Sequence, residues 1–329
     1  MTAVPDMRML ERVVRYLREE TGRALRGREL AGTYVEADPA AGRTVGFWLH
    51  RTPMTGPRPV VFEMHGGGFA LGDARKGDAL RQRIAEEFGV HVVGVEYRLA
   101  PEQPFPAQLV DALGTLSAVF SGAYCEVDPA RCYLMGYSAG AMLAAACALA
   151  TGVRRAGERE VLGTVLPDTT CAALDATEPC VAGLALHYPF LDASRAPDDS
   201  LERPIDVPNE LTRAFERWYV GEADAAAPLV SPALAPLDAL ATLPPTVLAP
   251  VEGDPLLPQA RLMFDRLCEA GNPATWLPVS GMYHGYIEDA ADVRTYLVTT
   301  MEATVKARPQ NYVQAAEKSV DDALRLLLP

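Results

Sequence analysis

Lysine is nearly missing from this sequence of 329 residues: only Lys76, Lys306 and Lys318 stand among the 30 basic residues, against 43 acidic ones. The resulting net charge of -13 argues against nucleic acid, whose phosphates require a basic face, and equally against an anionic membrane surface. Long apolar runs are also missing. The longest, Ala139 to Ala150, falls short of the roughly 20 residues that span a bilayer. Asp6, Arg8, Glu11 and Arg12 interrupt any apolar core of a secretory signal. The six cysteines form no C-x-x-C pair and have no zinc-like spacing with histidine, so reduced thiols are expected rather than disulfides or a metal site. No internal repeat or heptad run is present. These gaps lead to the expectation of a soluble, cytoplasmic globular protein.

What is present is an alternation of strand and helix. An amphipathic helix is predicted over residues 6–19, with Met7, Leu10, Val14 and Leu17 on one face. Two strands follow near 33–36 and 44–50, with Pro39 and Gly42 between them. Strands are then expected at 60–64, 91–97, 132–137, 181–187, 246–251 and 274–279. Helices are expected at 76–88, 107–120, 139–151, 259–270, 287–304 and 311–327. Such alternation predicts an α/β fold, a mostly parallel central sheet with helices on both faces, whose ligand site lies at the carboxyl ends of the strands. Two inserts interrupt it. Residues 153–180 read as a polar loop at the opposite side of the sheet. Residues 193–225 carry a helix with Phe215, Trp218 and Tyr219, and this insert is expected to lie over the site as a lid.

Gly136-Tyr137-Ser138-Ala139-Gly140 stands between a predicted strand and a predicted helix, the context in which a G-x-S-x-G turn exposes a nucleophilic serine. A serine hydroxyl needs a base, and the base an orienting acid. Only His187 and His284 lie downstream of Ser138. His187 falls inside a buried strand and reads as structural; His284, in a loop after a strand, suits a general base. Asp254, after the preceding parallel strand, is the first choice of acid and Asp192 the second, while Glu252 is expected to point elsewhere. After strand 60–64 comes His65-Gly66-Gly67-Gly68. Glycine amides there can approach a developing oxyanion, so the N–H groups of Gly66, Gly67 and Ala139 are assigned to it. His65 is read as a brace for that loop.

These pieces resemble the hormone-sensitive-lipase-like family of α/β-hydrolases, particularly its bacterial acetyl esterases. The resemblance rests on His65 to Phe69 with Leu71-Gly72, on Tyr97 to Glu102 with Pro104-Phe105-Pro106, and on Gly136 to Gly140, Asp254-Pro255-Leu256 and His284-Gly285. It implies an α/β-hydrolase fold with Ser138 as nucleophile, Asp254 as acid and His284 as base. It further implies a helical cap built from residues 1–32 and the insert at about 193–225 on a body spanning 33–329. The sequence departs from the family at Tyr137, where an acidic residue usually precedes the serine, and at Leu257-Pro258-Gln259, where further acids are common.

The expected activity is hydrolysis of short-chain acyl esters, a small-molecule substrate, with no metal or organic cofactor. Phe69, Phe215, Trp218 and Tyr219 are candidate walls for the substrate. A homodimer is consistent with the family. Two alternatives remain: an amide hydrolase or deacetylase of an acylated metabolite, and a non-catalytic small-molecule receptor on the same fold.

Overall fold

The computed structural model describes residues 7–38, 44–157, 165–195, 209–292 and 308–328. The turn expected at Pro39 and Gly42, residues 196–208 of the second insert, and the 287–304 helix beyond Asp292 fall outside them.

Eight strands form one sheet in the order β1-β2-β4-β3-β5-β6-β7-β8: β1 (Thr33–Ala37), β2 (Val45–His50), β3 (Arg58–Met64), β4 (His91–Val95), β5 (Val127–Tyr137), β6 (Val181–His187), β7 (Thr246–Ala249) and β8 (Ala274–Trp276). The β1–β2 and β2–β4 pairs are antiparallel and all later neighbours are parallel. The central strands are buried on both faces, which is why they read as continuous apolar runs. Their side chains alternate between two cores with the period of two that a strand imposes. Phe62, Leu134, Leu186 and Leu248 enter one core, and Val61, Met135, Ala185 and Val247 the other.

Helices α3 (Ala107–Phe120), α4 (Ala139–Ala156) and α8 (Leu257–Glu269) cover the first face. Helices α2 (Asp78–Glu87), α9 (Tyr286–Ala291) and α10 (Tyr312–Leu327) cover the second. The apolar run from Ala139 is buried throughout α4, so its hydrophobicity reflects a core helix. No helix among the described residues is long and apolar enough to cross a membrane.

The loop expected at 153–180 needs correction. Helix α4 continues to Ala156, and α5 (Asp168–Thr177) occupies the middle of the insert. Thr170, Ala173 and Leu174 of α5 are buried, and Arg154 anchors it by donating to the Cys171 carbonyl at 3.0 Å and to Asp175 at 2.6 Å. Since α5 leads directly into β6, it lies at the amino edge of the parallel strands. The strands expected at 246–251 and 274–279 are shorter, their far ends meeting only as an isolated bridge between Val251 and Val279.

At the carboxyl edge, α1 (Met7–Leu25) and α6 (Asn209–Val220) pack together. Val14 of α1 and Ala214 and Trp218 of α6 share a small core with Ala70 and Ala100, which belong to the loops after β3 and β4. Arg18 ties α1 down: its Nε donates to the Ala70 carbonyl at 2.7 Å, one Nη to the Ala100 carbonyl, and the other to Glu102 at 2.8 Å. Helix α7 (Leu237–Ala241) completes the described elements.

Candidate active site

Strand β5 ends at Tyr137 and α4 starts at Ala139, so the whole reversal falls on Ser138, with φ 52° and ψ -117°. A non-glycine residue held there stores about 1–3 kcal/mol and persists only where its surroundings over-determine it. They do so here. The Ser138 amide donates to the His187 carbonyl at 3.1 Å, and its carbonyl accepts from Ala141 at 3.0 Å and Phe190 at 3.2 Å. Close packing requires glycine on both sides of the turn: a Cβ on Gly136 would lie 2.2 Å from the Gly140 carbonyl oxygen, and one on Gly140 would lie 2.1 Å from that of Met64.

The Ser138 hydroxyl lies 2.8 Å from His284 Nε2, and His284 Nδ1 lies 2.7 Å from Asp254 Oδ2. With its proton on Nδ1, the imidazole donates to Asp254 and offers Nε2 as acceptor to the serine. Asp254 is 3% exposed and its other oxygen accepts from the Leu256 amide at 2.8 Å, so the carboxylate is fixed at both ends. The structure thus brings Ser138, His284 and Asp254, from three separate loops, into one relay able to activate a hydroxyl.

The alternative acid is placed elsewhere. Asp192 is buried and accepts from the Ser194 amide at 2.9 Å and its hydroxyl at 2.5 Å. Glu252 is exposed. His187 is fully buried, and burial pushes its pKa down to about 3, which keeps it neutral.

The loop after β3 passes beside the serine. His65 Nδ1 donates to the Gly66 carbonyl at 2.8 Å, Tyr97 donates its hydroxyl to the His65 carbonyl at 2.6 Å, and the two rings stack at 4.2 Å. His65 is therefore a brace inside the loop, and burial lowers its pKa.

The chain matches the model of a family described by its α/β hydrolase fold over residues 61–288. Esterase LipI of Mycobacterium tuberculosis is 31% identical to it over 265 residues, 80% of this chain and 76% of LipI. An acetyl-hydrolase of Streptomyces hygroscopicus is 30% identical over 248 residues, 74% of this chain and 72% of that protein. The chain belongs to the hormone-sensitive-lipase-like α/β-hydrolases. Its fold also superimposes on EstE1, a thermophilic carboxylesterase from a metagenomic library, with a TM-score of 0.67 at 26% identity, covering 94% of this chain and 100% of EstE1.

Within this α/β-hydrolase, the three amides assigned to an oxyanion do not stand alike. Ala139 opens a helix, where a backbone N–H has no intrahelical acceptor, and Gly67 donates to nothing among the described residues. Gly66, in contrast, donates its N–H to Glu288 Oε1 at 2.8 Å, so that amide is already engaged.

The four aromatic candidates also separate. Phe69 and Tyr219 stack face to face at 3.7 Å, each 1% exposed, and Trp218 belongs to the small core between α1 and α6. These three are buried against neighbouring side chains. Phe215 alone is partly exposed, with its ring against Gly68.

Two neighbours of the site escaped the sequence reading. Tyr188, at a positive φ of 34°, sets its ring edge-on to His284 at 5.1 Å. Its only sequence signal is its place at the end of β6. Glu288 follows His284 by four residues, and nothing in the sequence shows that it reaches Gly66, 222 positions away. Among the described residues no group of three His, Cys, Asp or Glu side chains is placed to hold a metal ion, and the cysteines are free.

Proposed function

We propose that the protein is a serine carboxylesterase that hydrolyses short-chain acyl esters through an acyl-enzyme intermediate. The observation that carries this reading is the unbroken relay from Asp254 through His284 to Ser138 at 2.7 and 2.8 Å. His284 takes the proton from Ser138 as its oxygen attacks the ester carbonyl. The carbonyl oxygen becomes an oxyanion held by the Gly67 and Ala139 amides. His284 then protonates the leaving alcohol, and the acyl-enzyme forms. In the second half His284 removes a proton from water, which attacks the acyl group and returns Ser138. Asp254 holds the imidazole in the tautomer that both halves need. Residues 1–32 and about 193–225 act as a cap over the body, with Phe215 bordering the acyl site. Its bulk beside Gly68, and the acetyl group in a relative's name, support a short acyl chain.

The test is hydrolysis of p-nitrophenyl esters from acetate to long acyl chains by wild type and Ser138→Ala. Activity should peak at the short chains and fall by roughly 10⁵- to 10⁶-fold in the variant. Activity independent of Ser138, or an acetamide turned over as fast as the matched acetate ester, would overturn the proposal.

A further inference from the structure

Gly66 immediately precedes Gly67 in the loop after β3, and its own N–H is spoken for. Glu288 Oε1 accepts it at 2.8 Å, and the carboxylate crowds the glycine so closely that a Cβ on Gly66 would lie 2.7 Å from Oε2. The same Cβ would lie 3.0 Å from the Tyr137 carbonyl oxygen, so Gly66 is crowded both by the carboxylate and by the residue before Ser138. Glu288 belongs to α9, one turn past His284. A single short segment therefore presents the imidazole to Ser138 and a carboxylate to the loop beside it.

Opposing influences act on Glu288. Burial pushes its carboxyl up to about 7, while the Gly66 amide, Lys76 and His284 hold it down and Glu63 repels it. Glu63 is itself paired with Arg81 at 2.7 Å, both nearly inaccessible to solvent. Tyr97 and His65 complete the surroundings by bracing the loop from its other side. A hydrogen bond from a backbone amide to a carboxylate is among the stronger ones a loop can make. Glycines, having no side chain to hold them, need such a restraint if a donor is to be preorganised.

We propose that Glu288 is a positioning residue for the oxyanion loop: it anchors the Gly66 amide and thereby fixes the Gly67 amide that follows it beside Ser138. This rests on the esterase reading above. Glu288 touches no reacting atom and acts through Gly66. A glutamine can still accept from the amide through its carboxamide oxygen, whereas an aspartate is one methylene short.

The test compares Glu288→Gln, Glu288→Asp and Glu288→Ala with wild type on p-nitrophenyl acetate, for variants whose melting temperatures stay close to wild type. The Asp and Ala variants should lose roughly tenfold to hundredfold in kcat, the scale of a misplaced catalytic group, with KM changed less than about twofold. Inhibition by a trifluoromethyl ketone, which forms a tetrahedral adduct on Ser138, should weaken in parallel. Glu288→Gln should keep both close to wild type. Amide hydrogen exchange across residues 65–68 should be fast in the Asp and Ala variants and slow in wild type and Gln. A folded Asp variant with wild-type kcat and slow exchange overturns the proposal, as does a Gln variant as impaired as Ala. If wild type turns over no ester yet exchange follows the expected pattern, the esterase reading fails while the anchoring role stands.

Discussion

The floor around Ser138 is held by backbone against backbone, whereas the roof that α1 and α6 form on the loops after β3 and β4 is held by side chains. In the floor, Gly136, Gly140 and Met64 approach so closely that a single Cβ would overlap a carbonyl oxygen. In the roof, α1 and α6 meet through Val14, Ala214 and Trp218, with Arg18 as the polar tie. The floor therefore sets atomic positions by hard contact, which leaves little room for substitution. The roof is a side-chain packing contact, which many side-chain combinations can fill. A hydrolase can keep its chemistry on such a floor and vary its substrates through such a roof.

The sharpest way to probe the floor is Asp254→Asn. The carboxamide fits the site but favours the wrong imidazole tautomer, so kcat should fall about 10⁴-fold with the fold intact, read from steady-state kinetics and circular dichroism. Gly140→Ala attacks the floor's packing. It should cost about 3 kcal/mol of stability, measured by denaturant unfolding, because the displaced neighbour is the Met64 backbone. If it were tolerated without loss, the contrast between floor and roof would break.

Arg18→Met probes the roof by keeping the aliphatic stem and removing its bonds to Ala70, Ala100 and Glu102. It should cost roughly 1–2 kcal/mol and raise KM more than it lowers kcat. The reverse split would place α1 in the catalytic floor. The smallest effect concerns the segment joining α1 to the sheet. Asp78 accepts from the Ala31 and Gly32 amides at 2.9 and 3.0 Å and is bonded to His50 at 2.8 Å. Burial alone would raise its pKa, but these bonds outweigh it and hold the carboxyl at about 2. The native state therefore binds this proton less readily than the unfolded chain, where aspartate titrates near 4. Its stabilisation is complete above about pH 4 and is lost as pH falls through about 2. Melting temperature against pH should show this acid-limb loss in wild type and flatten in Asp78→Asn.

Most strands and helices of the body are readable because they are periodic and punctuated. β3 is followed by His65 and three glycines, and α4 follows the serine turn without a break. Helix α5 was not readable. Its sequence Asp168–Thr177 is short and rich in threonine, with no side-chain cap, and it is stabilised by burial of Leu174 and by Arg154 rather than by propensity. Phe69 and Tyr219 carry no local signal of the stacking between them. Their stacking distance of 3.7 Å depends on how α6 sits over the loop after β3, which no local pattern encodes.

By itself the sequence determined the alternation that makes a parallel sheet, the serine turn after β5 and the loops carrying His284 and Asp254. These follow from periodicity, glycine placement and chain order, all of them local. Only the tertiary structure set Asp254 rather than Asp192 against His284, and only it set Gly66 apart from Gly67 by bringing Glu288 to it. Hydrogen bonds act over about 3 Å, and whether residues 222 positions apart come that close depends on the packing of the whole sheet and its helices.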